Sequence, residues 1–186
     1  MKNQIRSVLI EDQYLVLREV LFSVQCQEIL DSLDYSTFQL ATPVQGTRKV
    51  QQNFSYMNFE MEENRNSFTF LCIKGIERFL GSMLDSPIAF NDVVFQRYTA
   101  GESIGIAPHH DKNCFIYCIA ILLLKGDSNL YIYEDGEGKN PRPINAKPGD
   151  CILLRAPGIG GEQHGPYHGV ANVTKERITL TLRHQQ

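Results

Sequence analysis

Apolar positions in the first part of the chain fall at helical intervals. Between residues 14 and 33 they occur at Val16, Leu17, Val20, Leu21, Val24, Ile29, Leu30 and Leu33. That spacing predicts one helix or two, with the apolar stripe turned to a core. Residues 1–14 read as a short lead-in strand or coil. Residues 34–65 carry turn formers and an alternating stretch in which Phe54 and Tyr56 alternate with Ser55 and Met57, a strand pattern. A further helix is predicted over 67–84 from Phe68, Leu71, Ile76, Phe79, Leu80 and Met83, with Gly75 as its weak point.

From Ile88 onward the period drops to two. Strands are predicted over 92–98, 115–124, 129–134, 151–155, 165–170 and 177–183. The turn-forming runs TAGES, KGDS, EDGEGKNP, KPGD and APGIGG separate them. Many short strands with such punctuation predict a β-sandwich or jelly roll. Helices first and strands later predict that the helices pack on one outer sheet. The expectation is an α+β, mainly β domain over 1–186. Residues 1–87 would give helical support and a candidate substrate lid, and 88–186 the jelly-roll core.

Composition narrows the function classes only a little. The 186 residues are 42% apolar and 21% charged, as in ordinary globular chains. A net charge of −3 gives no general attraction to nucleic acid. The longest apolar run, 115–124, is ten residues, too short to span a bilayer. Glu11 and Asp12 lie in an N-terminal stretch without a sustained apolar run, so no signal peptide is read. Five cysteines without a CxxC fit reduced thiols in a cytoplasmic protein. No obligate protein partner is evident. GxSxG and P-loop patterns are absent, so nucleophilic and phosphate-cradle chemistry are not indicated.

The chemistry concentrates between PHHD and RITLTLR. In an extended chain, residues i and i+2 share a side. His109 and Asp111 can therefore meet one ion while His110 faces elsewhere. His168 follows Asp111 by 57 residues, inside a predicted strand. His164 is its competitor but sits in the Gly-rich run GIGGEQHG. Two His and one carboxylate are the facial ligand set of non-haem Fe(II) oxygenases. Arg177 comes nine residues after His168, and Arg177, Thr179, Thr181 and Arg183 share one face of a strand. Two arginines aimed at an interior call for an anion, and Arg suits bidentate carboxylate recognition.

Taken together, RYTAGESIGIAPHHD, the run 115–124, KPGDCILLRAP and YHGVANVTKERITLTLR resemble the Fe(II)/2-oxoglutarate-dependent dioxygenase family. The chain is most similar to its AlkB-like branch, through Tyr98 and Gly101 before the HxD, YHG around the distal His, and the Arg-x5-Arg strand. It departs from that branch at Gln96 and Thr179, where Asn is usual. The short His168–Arg177 interval is closer to prolyl-hydroxylase-like members.

The resemblance implies a double-stranded β-helix. It implies Fe(II) held by His109, Asp111 and His168, with 2-oxoglutarate and O₂ as cosubstrates. Arg177 would grip the C5 carboxylate, with Tyr98, Thr179 and Arg183 as further cosubstrate contacts. The products would be a hydroxylated substrate, succinate and CO₂. AlkB-like enzymes place a substrate lid near the position of residues 45–59, which makes Arg48, Phe54 and Tyr56 candidates for a modified nucleobase; a plain strand covering the core fits the same residues. A small molecule or a protein side chain is the alternative substrate. Outside the family, a cupin-type hydrolase or isomerase would use the same three ligands with no need of Arg177. A non-catalytic jelly-roll module would need none of them.

Overall fold

The computed structural model describes residues 2–45, 50–157, 159 and 163–186. In chain order it has α1 (Lys2–Glu11), β1 (Tyr14–Leu17), α2 (Ser23–Asp31) and a 3-10 turn at Tyr35–Thr37. The short strands β2 (Gln39–Leu40), β3 (Val44–Gln45), β4 (Val50–Asn53) and β5 (Ser55–Asn58) lead to α3 (Phe68–Leu84). The second half is all strand: β6 (Asp92–Tyr98), β7 (Gly105–His109), β8 (Phe115–Lys125) and β9 (Leu130–Tyr133). It ends with β10 (Arg142–Ile144), β11 (Cys151–Arg155), β12 (Tyr167–Val170) and β13 (Arg177–Gln185).

The strands form two sheets. One has seven, in the order β1-β11-β8-β13-β6-β5-β2; the other has six, in the order β10-β9-β12-β7-β4-β3. Every pairing between them is antiparallel. Two apolar cores result. Outside the larger sheet, Leu9, Ile29, Ile73 and Leu80 of the helices bury Phe95, Leu122, Leu153 and Leu180. Between the sheets, Ile119, Ile121 and Ile152 meet Leu130, Ile132 and Val170. The strand pattern's mainly β jelly roll with helices on one outer sheet is what forms.

The N-terminal reading needs correction. Residues 2–11 are a helix, not a lead-in strand or coil. Ile5, Val8 and Leu9 stand at helical intervals, with Leu9 fully buried and Ile5 packed against the outer core. Residues 14–17 are a strand, not the start of a helix. Tyr14 and Val16 pack into the inner core while Leu15 and Leu17 pack into the outer one. With both faces apolar, the period of two is invisible in the sequence. Positive φ at Gln13 (73°) and Glu19 (53°) turns the chain at either end of β1. The helix of the Tyr14–Leu33 run is confined to α2, where Gln25 Oε1 accepts from the Phe22 N–H at 2.8 Å.

α3 begins where the pattern places it. Ser67 Oγ caps it by accepting the Phe70 N–H at 3.1 Å, and Asp85 ends it at φ 53°. In the second half, two strands go unread. β10 is three residues long, and β7 contains Pro108, which removes a donor and the usual strand signature. The larger sheet takes β1, β2 and β5 from the first half, and the smaller takes β3 and β4. Among the described residues, no helix is long and apolar enough to cross a membrane.

Candidate metal centre and anion pocket

β7 and β12 lie side by side in the six-stranded sheet, with His109 and His168 directly opposite each other. Their rings are 4.4 Å apart, centre to centre. Gly169 makes the approach feasible: a Cβ there would fall 2.6 Å from the Ile106 carbonyl oxygen. Asp111, two residues past the end of β7, completes the group. One donor atom from each of His109, Asp111 and His168 falls within 4.8 Å of the others.

The imidazoles are oriented from behind in the same way. His109 Nδ1 meets the Ala107 carbonyl at 2.9 Å, and His168 Nδ1 meets the Pro166 carbonyl at 3.1 Å. A carbonyl only accepts, so each Nδ1 carries the hydrogen. Each Nε2 is left as the coordinating nitrogen, the outer support common to metal-binding histidines.

His168 Nε2 lies 3.2 Å from Asp111 Oδ2. Burial pushes the His168 pKa down, but the Asp111 carboxylate outweighs it and the net shift is upward. Burial pushes Asp111 up, yet His168, His109 and Arg183 together hold it well below the usual carboxylate range. For His109, burial and then His168 act in the same direction, to about 4. A half-buried carboxylate with the donor atoms of two histidines within 4.8 Å is stabilised by a cation in their midst. A divalent ion would meet the same carboxylate that now faces the His168 ring.

A second feature lies in the same cavity, which holds about 440 Å³. Arg177, the first residue of β13, is 1% exposed and pairs across the ladder with Tyr98. Its Nε donates to the Ser128 carbonyl at 2.7 Å, and its guanidinium lies 4.8 Å from the Tyr98 ring centre. Its Nη1 is buried with no hydrogen-bond partner. A buried guanidinium with an unused donor, facing a cavity, fits an incoming carboxylate.

The other residues singled out in the sequence divide. Tyr98, Phe54, Tyr56 and Arg183 line the cavity with the three ligands and Arg177. Thr179 is fully buried with an unpartnered Oγ1, but is not part of the cavity lining. Arg48 lies outside the described residues. Arg183 is already committed: Nε and Nη2 donate to Asp92 Oδ1 at 3.0 and 2.6 Å, and Nη1 lies 3.8 Å from Asp111 Oδ1. Of the two arginines on this strand face, only Arg177 awaits an anion.

His110 lines the same cavity but is not one of the three donors. Its ring is 3.5 Å from that of Tyr167 and 5.3 Å from that of His164, while His164 Nδ1 contacts Asn113 Oδ1 at 2.8 Å. Sequence reasoning passed over Asp92 and Ser128. Asp92 had a signal, because it shares even parity with Tyr98 on β6 and so faces the same side. Ser128 acts through its carbonyl and carries no side-chain signal.

No protein-family model matches the chain, and no curated protein matches it in sequence. Solved structures do resemble it in fold. A prolyl hydroxylase from Trichoplax adhaerens, in complex with a hypoxia inducible factor oxygen degradation domain peptide, aligns with TM-score 0.70 at 14% identity, over 99% of this chain and 88% of that one. A Pseudomonas putida prolyl-4-hydroxylase aligns with TM-score 0.69 at 14% identity, over all of both chains. The epimerase SnoN, in complex with Fe3+, alpha ketoglutarate and nogalamycin RO, aligns with TM-score 0.65 at 15% identity, over all of this chain and 83% of that one. At such identities the shared property is the fold, the double-stranded β-helix.

Proposed function

We propose that the protein is an Fe(II)- and 2-oxoglutarate-dependent dioxygenase that hydroxylates a C–H bond of its substrate. One O₂ is consumed; one oxygen atom enters the new hydroxyl, and the other enters the succinate formed, with CO₂, from 2-oxoglutarate. The observation that carries this reading is the coexistence in one cavity of the His109–Asp111–His168 donor group and a buried Arg177 with an unpartnered Nη1. A cupin-type metalloenzyme would need the first and not the second. The SnoN neighbour, in complex with Fe3+ and alpha ketoglutarate, supports the pairing.

Iron held by the three ligands supplies the redox chemistry that couples the two oxidations. The chain does the rest. Ala107 and Pro166 carbonyls fix the imidazoles, and the Asp92–Arg183 pair backs Asp111. Arg177, with Tyr98 beside it, would receive the C5 carboxylate. The apolar wall from Ile119, Ile121, Leu130 and Val170 limits water around the reacting groups.

For the substrate we favour a small molecule or a protein side chain. The solved neighbours carry a peptide in one case and nogalamycin RO in another. AlkB-like demethylation of a nucleobase draws on the aromatic residues Phe54 and Tyr56 at the cavity. Phe54, however, stacks on Tyr98 at 5.0 Å instead of presenting a free face. The five cysteines are all unpaired, which supports a cytoplasmic location.

The test is anaerobic titration of the purified protein with Fe(II) and 2-oxoglutarate, watching for the visible charge-transfer band of the chelate. With O₂ and ascorbate, slow succinate formation without substrate is the expected companion, abolished in His168→Ala. A protein that gives neither band nor succinate is not this enzyme. Methylated nucleotides, peptides and metabolites, screened for accelerated succinate release, then separate the substrate classes.

A further inference from the structure

Phe54 sits where the chain passes from one sheet to the other, between β4 of the smaller sheet and β5 of the larger. It is 8% exposed, and its carbonyl accepts the Ala41 N–H at 2.9 Å. Its ring lies nearly parallel to that of Tyr98, 25° between planes and 5.0 Å between centres. Tyr98 in turn carries the Arg177 guanidinium at 4.8 Å and is itself 1% exposed. A three-member series of ring contacts therefore runs from the crossover between sheets to the Arg177 guanidinium.

The stack matters because of what Arg177 lacks. Arg183 is oriented by the carboxylates of Asp92 and Asp111. Arg177 is bonded through Nε to the Ser128 carbonyl and by a side-chain hydrogen bond to Tyr98, which leaves the lie of its guanidinium to be settled against Tyr98. The Tyr98 face settles it, since a guanidinium prefers to lie over an aromatic ring. The tilt of the Tyr98 ring is set by its own neighbour, because stacked aromatic pairs resist reorientation. Phe54 is that neighbour.

We infer that Phe54 is a positioning residue that presets the Arg177 guanidinium for a carboxylate by fixing the Tyr98 ring. The inference rests on 2-oxoglutarate being the cosubstrate. Phe54 contacts no reacting atom in this role, and its ring face is used on Tyr98 and not on a substrate base. A gripping group held in place before its ligand arrives binds more tightly than one ordered on arrival.

Calorimetric titration of the Zn(II)-loaded protein tests this without turnover. Two probes are compared: 2-oxoglutarate, and 2-oxobutyrate, which keeps the chelating keto acid and lacks the distal carboxylate. Wild type is expected to prefer 2-oxoglutarate, and Arg177→Ala to lose the preference. Phe54→Leu is expected to lose about fivefold of it with 2-oxobutyrate binding unchanged, and Phe54→Tyr to retain it. Phe54→Met, which keeps a flexible apolar side chain, replaces the Leu variant if that one does not fold. A full preference in the Leu or Met variant overturns the inference. So does an equal loss for both probes, the mark of general loosening, or a loss in Phe54→Tyr as large as in Phe54→Leu. A wild-type protein with no preference for 2-oxoglutarate removes the cosubstrate assignment itself, and the role of Phe54 with it.

Discussion

Arg183 and Asp111 are 3.8 Å apart, Nη1 to Oδ1, while the other oxygen of the same carboxylate faces His168. Arg183 thus shares with a bound metal the task of neutralising Asp111, and it neutralises Asp92 as well. Arg183→Gln would leave two carboxylates close together with less countercharge. The metal-free protein should lose about 2 kcal/mol, below the roughly 3–5 kcal/mol of a fully buried pair because these groups retain some exposure. A divalent ion should then restore more in the variant than it adds to the wild type. Thermal melts with and without Zn(II) measure both quantities. Equal metal-induced shifts in the two proteins would separate Arg183 from the centre.

Gly169 places β12 against β7. A methyl group there meets the Ile106 carbonyl oxygen at 2.6 Å and Ala107 C and Pro108 N at 3.2 Å, all of them β7 backbone atoms that cannot swing aside. Gly169→Ala should therefore move His168 off its position opposite His109. The expected cost is about 1–3 kcal/mol of stability, with metal affinity down at least about tenfold. Metal titration of the folded variant decides: unchanged affinity would mean that the ladder register does not position the ligands.

Much of this arrangement was legible because a strand has only two sides. The parity of His109 and Asp111 separated them from His110, and the parity of Arg177 and Arg183 put both on one face. The same rule applied to Asp92 and Tyr98 would have found the partner of Arg183. It would have shown that one arginine, not two, faces an incoming anion. Other features were not legible for physical reasons. β1 is half-buried and packs apolar side chains on both faces, so its alternation vanishes. β7 carries a proline, and its strand character comes from pairing with β4 and β12. The choice of His168 over His164 rested on local rigidity. The structure puts His164 on Asn113 and His110 instead.

Arg177 is the residue whose loss should be most specific. Among the described residues its guanidinium has no carboxylate partner, and the one charge-assisted contact proposed to arrive with 2-oxoglutarate is at stake. Arg177→Ala should raise the 2-oxoglutarate concentration needed for half-saturation by about ten- to a hundredfold. Metal binding should be little changed, because Arg177 is not among the three donors. Parallel titrations of metal and of 2-oxoglutarate read the two effects separately. A variant that binds 2-oxoglutarate as well as the wild type does would dissolve the clamp assignment.

Acid stability should depend on a carboxylate far from the metal centre. Asp150, in the KPGD turn before β11, has a fully buried side chain. It accepts the N–H groups of Glu19 and Lys147, each at 3.0 Å, and pairs with Arg18 at 2.7 Å. Burial pushes its pKa up, but these contacts outweigh burial and hold it below the ordinary value of 3.8. The sign follows. At neutral pH the carboxylate is ionised in both folded and unfolded chains, and its stabilising contribution is full. As pH falls below about 4, the unfolded chain takes up the proton first, and the contribution drains away until the folded carboxylate also protonates. Asp150→Asn should cost about 1–3 kcal/mol at pH 7 and give a flatter decline in stability below pH 4 than the wild type. Urea unfolding at pH 7 and at steps through the acid range measures both. Parallel acid profiles for the two proteins would mean that Asp150 does not anchor the turn to the segment between β1 and α2.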